Sequence, residues 1–210
     1  MISRVFDLLS DRYDQWFERN RVIAESELKL LKSLNLKGLG LDIGIGTGWF
    51  ASRLGVPIGI DPAKSMLIKA HRRGIEVVRA IGESLPFRDE AFDSVLLIAT
   101  LCFVDNPDAV LMEAARVIKK NGLVVACIVP RDSSWGQHYM ALGAQRHPFY
   151  SIAKLYTTHE VEEKMLKSGL KIVNRIATLS FNPLGEAKPE EPSDNIEGKG
   201  FVCIISTKLS

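Results

Sequence analysis

Gly44, Gly46 and Gly48 stand at alternate positions directly after the apolar run 39–43, and Asp42 lies two residues before the first of them. Glycines in that pattern let a chain reverse sharply at a strand's end and let a ligand approach bare backbone, which any Cβ would obstruct. Asp42, at the C-terminal end of that strand, is placed to fix the loop amides or to meet a cationic group of a ligand. A second carboxylate, Asp61, closes the apolar run 56–60 and is followed by Pro62. In an open α/β sheet both acids fall at the strand ends where ligands bind. A carboxylate at Asp61 can accept hydrogen bonds from both hydroxyls of a ribose, or the Asp-Pro pair can serve only to form a turn.

The elements around these residues alternate. Residues 2–34 carry apolar side chains at three- and four-residue spacing and predict a leading helix, stopped by 35–38. Strands are predicted at 39–43, 56–60, 76–81, 92–99 and 123–129. The run 92–99 is nearly all apolar, as a strand covered on both faces should be. Helices are predicted at 65–73 and 109–119, the latter stopped by Asn121 and Gly122. The pattern blurs over 131–157, which reads as an insertion. A helix at 158–168 follows, then strands at 170–181 and 201–209, separated by a polar stretch, 182–200, expected to be an exposed, mobile loop. Strands alternating with helices predict a single doubly wound α/β domain. The last two strands, joined without a helix, are expected to pair as an antiparallel hairpin.

Composition narrows the function. The 210 residues are 46% hydrophobic and 25% charged, and 27 basic against 25 acidic side chains leave a formal charge of +2. No dense basic block points to nucleic acid. Cys102, Cys127 and Cys203 are far apart and odd in number, so buried free thiols in a reducing compartment are expected, with neither a disulfide framework nor a metal site. No apolar run approaches the roughly 18 residues of a membrane span, and a cytoplasmic location is expected.

Four stretches together resemble the class I S-adenosylmethionine-dependent methyltransferases, most closely the type 11 small-molecule group: residues 41–48, Gly59-Ile60-Asp61-Pro62 with Ser65-Met66-Leu67, residues 83–87, and Phe92-Asp93-Ser94-Val95-Leu96. The resemblance covers residues 36–130. It implies a seven-stranded Rossmann-like sheet, mostly parallel with an antiparallel last strand and helices on both faces, and S-adenosylmethionine as cofactor. It further implies that the backbone of Gly44, Ile45 and Gly46 faces the methionine part of the cofactor, that Asp42 orders that loop or meets the ammonium, and that Asp61 with Pro62 holds the ribose. Met66 resembles the position that packs on the nucleoside, although helical spacing also suits a core methionine. Where the family often has an acid for adenine, this chain has Ile81, which leaves adenine to backbone near Ile81 and Gly82, with Glu83 as helper. Thr100, with Ala99 and Leu101, borders cofactor and acceptor.

The acceptor side is less marked. Tyr13, Trp16 and Phe17 resemble a Tyr-Asp-x-Trp-Phe pattern that often precedes this domain, so 1–35 is expected to cap the site, or to use its aromatics as core. The insertion at 131–157 is expected to cover the acceptor, with Trp135 and Tyr139 lining its pocket. His138 and His147 are candidate bases should the acceptor have to lose a proton. Two alternatives stand beside methyl transfer to a small molecule. A non-catalytic binder could retain the fold, and a nicotinamide-dependent oxidoreductase could share the sheet. The latter's fingerprint, Gly-x-Gly-x-x-Gly, meets tryptophan at its last place, Trp49.

Overall fold

The computed structural model describes residues 2–208. Its strands are β1 Gly40–Ile43, β2 Ile58–Asp61, β3 Glu76–Arg79, β4 Phe92–Ile98, β5 Ile118–Ile128, β6 Leu170–Thr178 and β7 Phe201–Lys208. They form one sheet in the order β3-β2-β1-β4-β5-β7-β6. Neighbours from β3 to β5 pair in parallel, and β7 runs antiparallel to both β5 and β6. The hairpin expected from the missing helix is present, and it places the last strand inside the sheet.

Successive residues of β4 point to opposite faces, which explains why this strand is apolar without a break from Val95 to Ile98. Val95 and Leu97 join a core with Val110, Leu111 and Ala114 of helix α6 (Pro107–Val117) and with Val161 and Met165 of helix α8 (Thr158–Lys167). Leu96 joins the opposite core, with Ile23, Leu30 and Leu31 of helix α3 (Arg21–Ser33) and with Leu67 and Ala70 of helix α5 (Lys64–Arg72). Thr157 and Glu160 form a reciprocal capping box at the start of α8.

Several expectations are corrected. The leading helix is three helices, α1 Ile2–Leu8, α2 Ser10–Arg19 and α3, broken at Leu9 and Asn20. Local spacing is nearly continuous across those breaks; the turns bring Phe6 and Tyr13 against Phe149, a contact between distant parts of the chain. Asn121 and Gly122 do not stop α6: Asn106 caps its start, β5 begins at Ile118, and the two residues fall within β5 where its register against β4 shifts. The blurred stretch holds helix α7 (Ser134–Ala144) and a 3-10 turn, Tyr150–Ile152. The loop 182–200 is mostly exposed but tied down: Ser193 and Ala177 exchange backbone bonds of 2.8 and 2.9 Å, and the Glu190 carboxylate accepts from Ser180. Cys127 and Cys203 are not free thiols. They lie directly opposite each other on β5 and β7 and form a disulfide, so the expectation of a reducing compartment loses its support. Their separation of 76 residues hid a pairing that only the strand register creates. Leu209, expected in the last strand, lies outside the described residues.

One polar seam docks the leading helices. Asp7, Asp11 and Asp14 recur along α1 and α2 and meet Ser65, Lys69 and Arg73, which recur along α5 and its C-terminal cap. Asp7 accepts from the Ser65 amide at 2.8 Å, Lys69 donates to Asp11 at 2.6 Å, and Arg73 donates to both Asp14 oxygens at 2.9 Å. Arg73 also donates to the Thr47 carbonyl at 2.6 Å, which joins the cap to the glycine loop. In a double-mutant cycle of Asp14→Asn and Arg73→Met followed by urea unfolding, the coupling energy is expected to be about 1 kcal/mol, because one guanidinium nitrogen spans both carboxylate oxygens and the pair is half sheltered. Strict additivity would show that the pair does not clamp the cap.

Candidate functional site

β1 ends at Ile43 and the chain turns through Gly44, Gly46 and Gly48, whose φ values are +72°, +55° and +74°. L side chains rarely adopt this region, and a Cβ on Gly44 would also stand 2.5 Å from the Thr100 methyl. The turn is anchored on the end of β2. The Gly44 and Ile45 amides both donate to the Ile60 carbonyl at 2.9 Å, and the Gly46 amide donates to the Asp61 carboxylate at 3.0 Å. The other Asp61 oxygen accepts from the Ala63 amide at 2.8 Å. Thr100 completes the frame from the end of β4, its hydroxyl donating to the Ile43 carbonyl at 2.8 Å.

Asp42 does not order the loop amides. It is buried, and its Oδ1 has no hydrogen-bond partner. The parallel pairing of β1 with β2 sets Ile60 and Asp61 beside the loop, so they supply the acceptors instead. Burial, with the Asp61 charge added, raises Asp42 well above the carboxylate range. Burial pushes Asp61 up to about 6, against the opposing pull of the Ala63 and Gly46 amides.

Two cavities open above these strand ends. The smaller, of about 160 Å³, is bordered by Gly44, Gly46, Asp61, Pro62, Ile81, Gly82, Glu83 and Thr100. Glu83 is also a brace, its Oε1 accepting from the Asp105 and Asn106 amides at 3.1 and 3.2 Å. The larger cavity, of about 330 Å³, is bordered by Tyr13, Trp16, Tyr139 and His147 among the expected residues. Tyr13, Ile98, Ala99 and Phe103 belong to both walls. Ala99 holds φ at +52°, unusual for a residue with a Cβ, and its amide donates to the Cys127 carbonyl at 2.8 Å.

Five expected residues border neither cavity, although Ile45, expected to contribute its backbone, keeps that backbone in the loop. Ile45 turns its side chain inward over Gly59, Met66 is wholly buried in α5, and Asp42 lies beneath the loop. Trp135 donates its indole N–H to the Phe181 carbonyl at 2.9 Å and packs on Gly200, and His138 borders neither cavity. Conversely, Glu27 lines the larger cavity, buried at 7% exposure. The signal for it was a carboxylate among Ile23, Leu30 and Leu31 on the buried face of α3.

Residues 41–126 match the family model described as methyltransferase domain. An uncharacterized protein of Methanocaldococcus jannaschii is 38% identical over 205 residues, which span 98% of this chain and 99% of that one. The structure of a Thermotoga maritima SAM-dependent methyltransferase, described as a possible histamine N-methyltransferase, superposes with a TM-score of 0.94 at 35% identity, covering 99% of this chain and 100% of the other. The chain belongs to the class I S-adenosylmethionine-dependent methyltransferases, type 11. More distantly, a phosphatidylethanolamine N-methyltransferase of Cereibacter sphaeroides is 31% identical over 136 residues, 57% of this chain and 66% of that one. This methyltransferase therefore uses S-adenosylmethionine, and the nicotinamide alternative falls away. Its bare glycine backbone, left-handed where a Cβ would collide, and the acid at Asp61 fit that cofactor's polar and sugar parts. The apolar walls at Ile43, Ile60, Ile81 and Ile98 fit its base.

The buried acids give the methyltransferase a pH signature. Burial raises Glu27 from 4.5 to about 8, so between those values the folded chain keeps a proton that the unfolded chain has released. Unfolding then releases that proton, and stability falls as pH rises through this window. Asp61 and Asp42 act with the same sign. Glu27→Gln should match the parent near pH 5 and exceed it near pH 8.5 by a few kcal/mol, at about 1.4 kcal/mol for each tenfold difference in proton affinity between the folded and unfolded chain. Urea unfolding at the two pH values measures it, and equal pH dependence of parent and variant would contradict it.

Proposed function

We propose that this methyltransferase transfers a methyl group to a small-molecule acceptor, with the cofactor in the smaller cavity and the acceptor in the larger one. The observation that carries this reading is the shared wall of Tyr13, Ile98, Ala99 and Phe103, where contents of the two cavities would meet. A cavity of about 330 Å³ with aromatic walls suits a small organic molecule.

Gly44 and Gly46 offer backbone to the methionine part of the cofactor, Asp61 accepts from its ribose, and Ile81 and Gly82 flank its base. When bound, S-adenosylmethionine supplies an electrophilic sulfonium methyl. The chain's own task is to hold the acceptor atom in line and to exclude water, and orientation of this kind supplies several kcal/mol. Tyr13 is held as the neutral phenol, raised by burial foremost and then by the Asp61 carboxylate. It is therefore a hydrogen-bond donor or a wall, not a base. His147 is lowered by burial and by Arg12, so its ring is neutral near pH 7 and able to take a proton if the acceptor must lose one.

Calorimetry is expected to show binding of S-adenosylhomocysteine and none of NADH, and methyl transfer from S-adenosylmethionine is expected to a member of a panel of small amines, phenols, thiols and carboxylates, read as S-adenosylhomocysteine release. Asp61→Asn should weaken S-adenosylhomocysteine by roughly 2 to 4 kcal/mol, through the loss of charge-assisted bonds to ribose and of the loop's anchor. Unchanged affinity in that variant would remove Asp61 from the cofactor site.

The stretch 131–157 and the leading helices are proposed as the cover of this site. Phe149 stacks on Phe6 at 5.2 Å and meets Tyr13 edge-on at 5.8 Å, so the two parts of the cover touch above the cavities. Entry and release then require those contacts to open. Amides of 134–152 are expected to gain hydrogen-exchange protection with S-adenosylhomocysteine, measured against β4 as a rigid reference. Protection equal to that of β4 in the free protein would make the stretch part of the core.

A further inference from the structure

Glu27 is the only carboxylate bordering the larger cavity among the described residues. No hydrogen bond from a described residue reaches its side chain, and burial is the sole influence on its titration. Within α3 it is surrounded by Ile23, Leu30 and Leu31, where an apolar residue would pack without cost. An ionised acid in such a place is destabilising by several kcal/mol unless a cation meets it. The basic side chains that border the cavity, Arg12 and Arg19, are exposed on α2 and make no bond to it; Arg12 instead approaches His147 and Arg19 donates to Gln15. Much of the rest of the wall is aromatic, including Trp16, Phe50, Tyr139, Tyr150 and Phe201, with aliphatic Ile98, Ile128, Val129 and Leu155 between the rings. Ring faces of this kind attract cations.

We propose that Glu27, with this aromatic wall, recognises an acceptor carrying a protonated nitrogen, either an aliphatic ammonium or a protonated nitrogen heterocycle. The proposal rests on the reading of the larger cavity as the acceptor site and names the class of molecule that enters it. The cation supplies the partner that the chain withholds, donating N–H to the carboxylate while the hydrophobic body of the acceptor fills the cavity. Tyr13, Tyr139 and Tyr150 border the same cavity, and burial foremost raises all three phenols. Alone, Glu27 keeps its proton up to about pH 8, and a bound ammonium draws out the carboxylate; the three phenols stay neutral, so Glu27 is the one acid among the described residues of this wall that can pair with the ligand. Glu27 is thus an anchor, and the atom to be methylated is whichever one the anchored acceptor presents at the wall of Tyr13, Ala99 and Phe103. An anionic acceptor of the same shape finds no buried cation among the described residues of this wall and loses its own hydration on entry.

Phenethylamine, phenethyl alcohol and phenylacetate share a shape and differ in charge, and their binding is measured by calorimetry with and without saturating S-adenosylhomocysteine. The amine is expected to bind roughly tenfold or more tighter than the alcohol, the acid weakest, as a charge-assisted hydrogen bond requires. Glu27→Gln should bring amine and alcohol to within about twofold while S-adenosylhomocysteine affinity is kept, and Glu27→Asp should retain part of the preference. Equal binding of amine and alcohol by the parent, tighter binding of the acid, an amine preference that survives Glu27→Gln, or no binding of any of the three would overturn the proposal. If Glu27→Gln fails to fold, the charge series on the parent decides it alone. Failure of S-adenosylhomocysteine to bind, with the charge preference intact, would count against the cofactor cleft and not against Glu27.

Discussion

The site hangs on the parallel pairing of β1 with β2. Because the two strands run side by side in register, the end of β2 presents the Ile60 carbonyl and the Asp61 carboxylate to the three amides at the start of the glycine loop. Those bonds can form only if the backbone takes left-handed turns at alternate positions, which glycine alone adopts without strain. Thr100 then fills the space a side chain on Gly44 would need. A loop held from two sides offers its remaining surface, bare backbone and one carboxylate, to a ligand whose sugar and charged tail need such partners.

Above this floor the molecule is built from pieces that are distant in the chain. The leading helices are docked by charge on α5 and by ring contacts on Phe103 and Phe149. Arg73 links the docking to the loop, since the same guanidinium holds Asp14 of the cap and the Thr47 carbonyl. The consequence is two cavities separated by few residues, one polar at its base and one aromatic. That arrangement suits a reaction in which a cofactor and an acceptor must be brought close while water is kept out.

Buried carboxylates run through the site: Asp42, Asp61 and Glu27 are each nearly inaccessible, and each is raised by burial. Placing three acids so close to apolar strands opposes stability, and folds keep such groups where ligands compensate them. Asp61 finds partial compensation in two backbone amides, whereas Asp42 and Glu27 find none among the described residues.

Much of the fold was legible in the amino-acid sequence because it is local. The alternation of apolar runs with helical spacing marks the strands and helices of the sheet, glycines at alternate positions mark the loop, and acids at strand ends mark its neighbours, since each is a property of a few consecutive residues. What sequence could not show is whatever depends on residues meeting from afar. The disulfide between Cys127 and Cys203 exists because β5 and β7 place them opposite each other, and no spacing announces that register. The break at Leu9 carries no helix-breaking residue and accompanies the packing of Phe6 on Phe103 and Phe149, whereas at Asn20 the side chain itself bonds back to the Trp16 carbonyl. Trp135 and Tyr139 share one helix and the same aromatic character, yet one is consumed by Phe181 and Gly200 while the other borders the cavity. By itself, then, the sequence determined the sheet, the loop and the kind of cofactor, all encoded in short range. Tertiary structure alone decided which side chains face the larger cavity, because a cavity belongs to the surfaces of several elements and to none of them singly.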